Sequence, residues 1–328
     1  MLPPENYFLV HISCRTYNQS RFIQDTLDGF AAQRTEFPFL AVIMDDASTD
    51  GEQDIIEAYI SRFCGHGEGT CCERWETEDA RWVYARHNEN ANAFFLAMLL
   101  KKNLFRNPKK RELIPAWTNA KYVAICEGDD YWTDAMKLQK QVSFLEQTPG
   151  FSLCFTNCQV LDGKRTRIGN YYIWDTYTTR EMLLHNSIGL KKRNDIVVSP
   201  GHTSTIVYRE PPVPRPAWIS QCFIGDEPFF IWLSTFGKAK FINDVTSVYR
   251  QGVGISSSNF SYVDDVCKRI EMYRLIDKGL DHKYHKLISR DIIAEYFYSL
   301  VKRTYKQGEY LKAVKFFFGY LSTKLGLA

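Results

Sequence analysis

The sequence predicts an α/β fold in which a mostly parallel central sheet is flanked by helices and followed by a C-terminal helical extension. Short apolar runs alternate with amphipathic helical patterns along the first half, and strands joined by helices usually pair in parallel. The 328 residues are 45% hydrophobic and 15% aromatic, a composition typical of a globular protein with a large core. From about Ser261 the pattern changes to helices rich in basic and aromatic residues.

The first half of the chain provides alternating strand and helix signals. Predicted strands are apolar runs bounded by polar or turn-forming residues, at 8–13, 39–44, 81–85 and 122–126. Predicted helices lie at 20–33 with Ser20 as N-cap, from a Thr49-x-x-Glu52 capping box to about Phe63, and at 91–104.

The second half is less regular. It contains a predicted helix at 137–147, a strand at 151–157, a charged and proline-rich loop in two parts at 190–201 and 209–218, a helix at 225–238, and a closing strand at 239–250.

Bulk properties exclude several classes of protein. The net charge of +3 is too small to indicate a nucleic-acid partner. No run approaches the roughly 18 to 20 apolar residues that span a bilayer, and the first residues show no signal-peptide pattern. Nine scattered cysteines favour reduced thiols over a disulfide framework. We therefore expect a cytoplasmic protein, with peripheral contact at the inner membrane face as an option.

One cysteine-rich segment raises the question of a zinc site. Cys64, His66, Cys71 and Cys72 lie in the glycine-rich stretch CGHGEGTCC. Because the paired C-x-x-C spacing of zinc sites is absent, the sequence favours a plain loop.

Two acidic clusters directly follow predicted strands. Asp45 and Asp46 follow the second strand, and Glu127, Asp129 and Asp130 follow the fourth. Because ligands on open sheets bind beyond the carboxyl ends of the strands, both clusters should open onto one crevice. Crowded carboxylates raise one another's pKa, and a hard cation such as Mg²⁺ or Mn²⁺ shared with phosphates would offset that repulsion. The alternative is a solvated loop favoured by the dipole of the helix that follows.

Known phosphate-binding motifs are missing. CRTYNQS stands after the first strand where a dinucleotide-binding protein would have G-x-G-x-x-G, and no G-x-x-x-x-G-K-[ST] occurs. A dehydrogenase and a P-loop nucleotidase are therefore disfavoured.

The order of four segments resembles that of the family 2 inverting glycosyltransferases, which have the GT-A fold. The segments are HISCRTYNQSRFIQDTLDGFAAQ, VIMDDASTDG, YVAICEGDDYW and IGDEPFFIWLSTFGKAKFINDVTSVYR, which cover most of residues 8–260. The subgroup resembled is bacterial enzymes that build surface polysaccharides. The resemblance implies a GT-A domain at 1–260, with a nucleotide-sugar half at 1–130 and an acceptor half at 131–260, and a helical extension at 261–328.

The resemblance also implies roles on the donor side. Thr16 and Tyr17 match positions that line the nucleotide base, and Asp46 matches the carboxylate that accepts the base N–H. EGDD matches the D-x-D region. The resemblance implies that one of Asp129 and Asp130 binds the metal and that the other contacts the ribose or the sugar. Glu127, also assigned to nucleotide binding, stands where the family often has Asp.

On the acceptor side, Asp226 matches the catalytic base, and Glu227 is a second candidate. His202 matches a polar position near the acceptor, although a buried structural histidine fits it equally well. Arg250 could meet the diphosphate. Many relatives have a His soon after this Arg, whereas Gln251 and Gly252 follow it here.

The predicted reaction is transfer from a nucleotide-diphosphate sugar, with UDP the commonest carrier, to a glycan or lipid-linked acceptor, with Mg²⁺ or Mn²⁺ as cofactor. Two alternatives stay open: a non-catalytic sugar-nucleotide-binding subunit of an assembly complex, and a nucleotidyltransferase that releases pyrophosphate.

The tail at 308–327 predicts an amphipathic helix. It either packs on a neighbouring helix or docks at an anionic membrane surface. Its apolar stripe consists of Tyr310, Val314, Phe317, Phe318, Leu321 and Leu325, with Lys312, Lys315 and Lys324 outside it.

Overall fold

The computed structural model groups the chain into two compact units. The first comprises 1–176, 200–212 and 237–254, and the second comprises 177–199, 213–236 and 255–328. The residues that the structure describes are 2–5, 7–66, 71–105, 107, 110, 112–162, 165–169, 175–188, 201–253 and 261–326. The described residues 178–188 and 213–236 therefore group with the C-terminal helices instead of with the sheet.

The first unit contains a large sheet and three helices. Its strands are β1 Val10–Thr16, β2 Phe39–Asp45, β3 Cys72–Glu76, β4 Ala80–Arg86, β5 Ala93–Leu100, β6 Tyr122–Ile125, β7 Tyr131–Trp132, β8 Phe151–Asp162, β9 Arg165–Gly169, β10 Thr176–Tyr177, β11 Ile206–Arg209 and β12 Lys238–Gln251. Its helices are α1 Ile23–Ala31, α2 Glu52–Phe63 and α3 Lys137–Gln147.

The sheet is mixed, with a parallel centre and antiparallel neighbours. The order is β10-β12-β8-β11-β6-β1-β2-β5-β4-β3, with β7 paired to β12 and β9 to β8. Strands β6, β1, β2 and β5 are mutually parallel. Antiparallel β11 joins β6 to β8, and β4 and β3 extend the other side. The parallel centre places the loops after β1, β2 and β6 at one edge of the sheet.

The helix predicted at 91–104 is wrong, because residues 93–100 form the central strand β5. All eight residues of AFFLAMLL are buried, with alternate side chains in the two apolar cores on opposite faces of the sheet. A continuous apolar run of Ala, Leu, Met and Phe has no period that distinguishes a buried strand from a buried helix. Backbone pairing with β2 on one side and with β4 on the other makes this segment a strand.

Two predicted helix caps are also wrong. Helix α1 begins after Phe22, and no side chain caps it, while the Ser20 amide donates to Asp50. Helix α2 begins after Gly51, whose φ of +87° lies in the left-handed region that favours glycine. The Glu52 side chain turns away from the predicted capping box into the unit's interior.

The second unit is helical. Its helices are α4 Thr179–Ile188, α5 Ala217–Gln221, α6 Asp226–Leu233, α7 Tyr262–Gly279, α8 Ala294–Lys306, which continues from a π-helical segment Leu287–Ile293, and α9 Tyr310–Leu325. Ser261 caps α7 by accepting from the Asp264 amide, so the change of pattern predicted near this residue is confirmed. Within the described residues no helix is both long and apolar enough to cross a membrane. Except for Gly201, the loop predicted at 190–201 lies outside the described residues.

Lys137, the first residue of α3, is fully buried in the first unit. Its Nζ donates to Gln141 Oε1 over 2.7 Å and lies 4.5 Å from the centre of the Trp132 ring. No carboxylate is among these contacts. Burial lowers the pKa of Lys137 to about 8.

We expect Lys137→Met to stabilise the fold at pH 7 and to lose that advantage at high pH. The unfolded chain binds the Lys137 proton up to a pKa near 10.5 and the folded chain only to about 8, so the stability of the parent rises across this window. At pH 7 the gain should be on the order of 1–3 kcal/mol, at about 1.4 kcal/mol per pKa unit. Denaturant unfolding at pH 7 and pH 10 measures it, with exposed Lys102→Met as the control. A stability difference between Lys137→Met and the parent that stays constant with pH would contradict the assignment.

Candidate functional site

The loops that follow β1 and β2 are joined by side-chain hydrogen bonds. Asn18 Oδ1 accepts from the Thr49 amide over 2.8 Å, and the Asn18 amide donates to Ser48 Oγ over 2.9 Å. Asn18 and Ala47 have φ of +54° and +61°, which non-glycine residues rarely adopt. Backbone of this kind persists only where the surroundings fix it, and it is common at functional sites.

A buried carboxylate, that of Glu52, holds the β1 loop in place. Its oxygens accept from Thr16 Oγ1, from the Gln19 amide over 2.8 Å and from Ser48 Oγ over 2.9 Å. Burial raises the pKa of Glu52 in spite of these three donors. Glu52 therefore fixes the position of Thr16, the first of the predicted nucleotide-binding residues.

The acidic loop after β6 lies directly against the β1 loop. The Gly128 amide donates to Arg15 O over 3.1 Å, and Thr26 Oγ1 donates to Gly128 O and Asp130 O. A Cβ on Gly128 would lie 2.2 Å from Thr16 Oγ1, so a larger side chain does not fit. The glycine of EGDD therefore allows the close approach of the two loops.

The aspartates of this loop are almost fully buried. Asp129 is 8% exposed and Asp130 is 3% exposed. Burial raises the pKa of Asp129, and burial together with the charges of Glu127 and Asp129 raises that of Asp130 well above its usual range. Glu127 Oε2 accepts from Thr203 Oγ1 over 2.5 Å. Carboxylate oxygens are the ligands that a hard divalent cation prefers.

Arg250, from β12, holds the acidic loop from its other side. Its amide donates to Asp130 Oδ1 over 2.9 Å, and its guanidinium donates to Asp129 O over 2.8 Å and pairs with Asp25. The guanidinium also lies 4.5 Å from the centre of the Tyr131 ring. In the structure Arg250 thus positions the loop, and its contact with a diphosphate stays a prediction.

Asp46 is 4% exposed and already hydrogen-bonded. Its Oδ1 accepts from the Leu104 amide over 2.8 Å, and its Oδ2 accepts from Lys110 Nζ over 2.6 Å. Asp45 Oδ1 accepts from the Ser48 amide in the turn ahead of α2. Contact of Asp46 with a base, like that of half-buried Tyr17, stays a prediction.

His202 lies in the first unit, with its ring stacked on Tyr249. The ring centres are 3.9 Å apart at an interplanar angle of 23°. Burial lowers the pKa of His202 to about 4, so the ring is neutral at physiological pH.

Asp226 and Glu227 belong to the second unit and differ in environment. Asp226 is the exposed first residue of α6. Glu227 is 8% exposed, accepts from Tyr273 Oη over 2.8 Å and pairs with Arg269 at 3.2 Å. Burial raises the pKa of Glu227, an effect that the Arg269 charge opposes. Glu227 therefore anchors α6 to α7, which leaves Asp226 as the better candidate for proton transfer.

Among the described residues, one group of three possible metal ligands has its ligand atoms within 4.8 Å of one another. It lies in the second unit and consists of Asp277, His282 and His285. The predicted set Asp129, Asp130 and Glu127 is not gathered in this way, so a cation there would need ligands from a bound diphosphate or water. Cys64, His66, Cys71 and Cys72 do not form such a group, and Cys72 is the first residue of β3.

Sequence reasoning missed several polar residues of the strand-end loops. Glu52 was assigned to a local capping box, although it bonds across 33 and 36 positions to the β1 loop. Lys110 lies 64 positions from Asp46, and Thr26 over 100 positions from the acidic loop. A polar residue inside an otherwise apolar helix face, as at Thr26, is the one signal available in advance.

Comparison with protein-family models finds no match. The uncharacterised proteins Rv1520 of Mycobacterium tuberculosis and Mb1547 of Mycobacterium bovis are each 33% identical to this chain over 199 residues, 60% of its length. The chain spans less than half of these relatives, covering 46% of each.

Two solved structures of S. aureus TarS 1–349 share the fold. The complex with UDP-GlcNAc has a TM-score of 0.55 at 15% identity, covering 96% of this chain and 81% of TarS. The complex with UDP has a TM-score of 0.51 at 16% identity, covering 88% and 70%. The fold is of the GT-A type, with a large central sheet flanked by helices and a C-terminal helical region, as the sequence predicts.

We expect Asp130→Asn to raise the stability of the metal-free protein at pH 7. A raised folded pKa means that stability is lost as the pH rises from the unfolded value, near 3.8, through the folded one. The amide removes this penalty, and the gain should be on the order of 1 kcal/mol.

Asp134→Asn is the matched control with the opposite sign. Asp134 pairs with Lys140 and accepts from the Met136 amide, and its pKa is lowered, so neutralising it should cost about 0.5–1.5 kcal/mol. Thermal unfolding in EDTA at pH 7 compares the two, and at pH 4 the Asp130→Asn gain should shrink. A lower melting temperature for Asp130→Asn at pH 7 would show that the loop tolerates its charge without a cation.

Proposed function

We propose that this protein is an inverting, metal-dependent glycosyltransferase of family 2. It transfers a sugar from a nucleotide-diphosphate sugar, with UDP as the favoured carrier, to a glycan or lipid-linked acceptor in bacterial surface-polysaccharide synthesis. The observation that carries the proposal is the buried acidic loop Glu127–Asp130, held against the β1 loop at the carboxyl edge of a GT-A sheet. TarS, which shares the fold, is seen with UDP and UDP-GlcNAc, and this supports a nucleotide-sugar donor.

The donor set fits Mg²⁺ or Mn²⁺. Asp129 and Asp130 offer carboxylate oxygens, which hard cations prefer. Their pKa values are raised mainly by burial, which destabilises the charged carboxylates, and a nearby cation would stabilise that charged form. A cation bound there would neutralise the charge that develops on the leaving diphosphate. Arg250 and Thr26 keep both aspartates in place before any ligand arrives.

The base and ribose would lie along the β1 and β2 loops. Thr16 and Tyr17 would contact the base, and Asp46 would accept its N–H after exchanging one of its present donors, Lys110 or the Leu104 amide. Lys110, released from Asp46, would then be available to a donor phosphate. Burial lowers the pKa of Lys110, an effect that the hydrogen bond to Asp46 opposes.

Asp226 would serve as the general base on the acceptor side. Inversion by a single displacement requires one carboxylate that takes the acceptor hydroxyl proton as the anomeric carbon is attacked. Glu227, bonded to Tyr273 and Arg269, would hold α6 and so orient Asp226. Neutral His202 could donate or accept one hydrogen bond to an acceptor hydroxyl.

Metal-dependent donor binding provides the direct test. Asp129→Asn and Asp130→Asn should each weaken Mn²⁺-dependent UDP binding about tenfold or more, equivalent to ~1.4 kcal/mol, while Asp134→Asn should not. Calorimetry with Mn²⁺ and with EDTA measures this. If the parent and both variants bind UDP in EDTA as tightly as the parent does with Mn²⁺, the metal site is overturned.

The proposed general base, Asp226, is tested separately. Asp226→Asn should keep Mn²⁺-dependent UDP binding and stability while transfer falls by roughly two to four orders of magnitude, the usual range for general-base catalysis. Glu227→Gln should instead lower the stability of the second unit, because it breaks a buried ion pair.

Transfer is assayed with a set of UDP-sugars and glycan acceptors, and NMR assigns the anomeric configuration of the product. Near-parental turnover of Asp226→Asn, or a product that retains the donor configuration, would contradict the mechanism. Release of pyrophosphate would instead indicate a nucleotidyltransferase.

A further inference from the structure

Helix α9 packs on the second unit through small residues and turns its large apolar residues outward. Ala313 and Thr323 are its buried residues. A Cβ on Gly319 would lie 2.6 Å from the Phe297 ring of α8, so this glycine permits close helix packing. The sequence stripe does not face the neighbouring helix, which corrects the expectation that it packs there.

The opposite face of α9 is an exposed apolar stripe, which we call the α9 face. Its members recur at helical spacing, so that they lie on one side of the helix. They are Leu311 at 90% exposure, Val314 at 53%, Phe318 at 65% and Leu325 at 64%. Tyr310 and Phe317, at 60% and 45%, border them. Single exposed apolar residues are ordinary, but a contiguous stripe of large ones marks a docking surface.

The charge around the α9 face is strongly positive. Residues 298–326 contain six basic residues and a single acidic one, a net charge of +5 in a chain whose total is +3. The acidic residue, Glu309, is paired with Lys312 at 3.1 Å. On a helical projection Lys315 and Lys324 fall on either side of the stripe. Long lysine stems can lie along apolar surface while their ammonium groups reach outward.

Exposed tyrosines add to the amphipathic character of this region. Tyr298 and Tyr305 of α8 are 43% and 63% exposed. The Tyr305 and Tyr310 rings contact edge to face with centres 5.4 Å apart, and Lys302 Nζ lies 4.4 Å from the centre of the Tyr298 ring. Tyrosine rings with an apolar body and a polar tip are typical of the boundary between hydrocarbon and headgroups.

We propose that the α9 face docks in the interfacial layer of an anionic lipid bilayer, with α9 lying in the membrane plane. An apolar stripe with flanking lysines and tyrosines matches hydrocarbon bordered by negative headgroups. A second copy of the chain fits less well, because two surfaces of the same positive charge would repel each other. The inference rests on the proposed function only in suggesting that the acceptor is lipid-linked.

Vesicle flotation of the full chain tests the proposal. The vesicles contain phosphatidylcholine alone or with phosphatidylglycerol, and no nucleotide sugar is present, so failure of donor binding would not affect the result. We expect binding to anionic vesicles, and at least tenfold weaker binding by the double variant Leu311→Gln, Phe318→Gln. Val213→Gln, which changes a residue 48% exposed and outside α9, should bind like the parent.

Charge and folding are controlled in the same experiment. Lys315→Gln with Lys324→Gln should weaken binding to anionic vesicles, and 0.5 M salt should do the same to the parent. Circular dichroism should show the parent's helicity in every variant, as expected for solvent-exposed positions. Absence of parent binding, or unchanged binding by the Leu311→Gln, Phe318→Gln variant, would overturn the proposal. So would a parent dimer that this variant converts to monomer in sedimentation, since the α9 face would then hold a second copy.

Discussion

The close approach of Gly128 to Thr16 is the constraint on which the candidate site depends. It brings the acidic loop after β6 against the loop after β1, leaving no room for a Cβ between them. Glu52 fixes the other side of Thr16 with a buried carboxylate. Both contacts follow from the parallel pairing of β6, β1 and β2, which brings the ends of these strands to one edge. A shift of any one loop would displace the others.

The carboxylates of this edge make the folded state less stable than a neutral edge would be. Asp130, Asp129 and Glu52 all have raised pKa values, with burial as the largest cause. Arg250 reduces the cost without removing it, since its guanidinium meets a backbone oxygen and Asp25 instead of the aspartate carboxylates. A bound cation would stabilise a site held in this state. Natural proteins commonly accept such local costs where they function.

Adjacent acidic residues of the second unit differ in their surroundings. Asp226 and Glu227 are both acids in the first turn of α6, and the sequence makes Asp226 the candidate base with Glu227 second. Glu227 is buried, accepts a hydrogen bond from Tyr273 and forms an ion pair with Arg269. Helix α9 shows the same principle on a larger scale. Its periodicity predicts an amphipathic helix, but only the packing of Gly319 on Phe297 determines which face is covered.

The sequence by itself determined the fold class, six of the twelve strands that the structure describes and the acidic loop, because apolar runs bounded by polar residues are local signals. It failed at 93–100, where a run buried on both faces has no distinguishing period. Tertiary structure alone decided that Glu52 serves Thr16 instead of a helix cap, and that Lys110 bonds Asp46. These partners are tens of positions apart in the chain, and only the pairing of strands brings them within hydrogen-bonding distance.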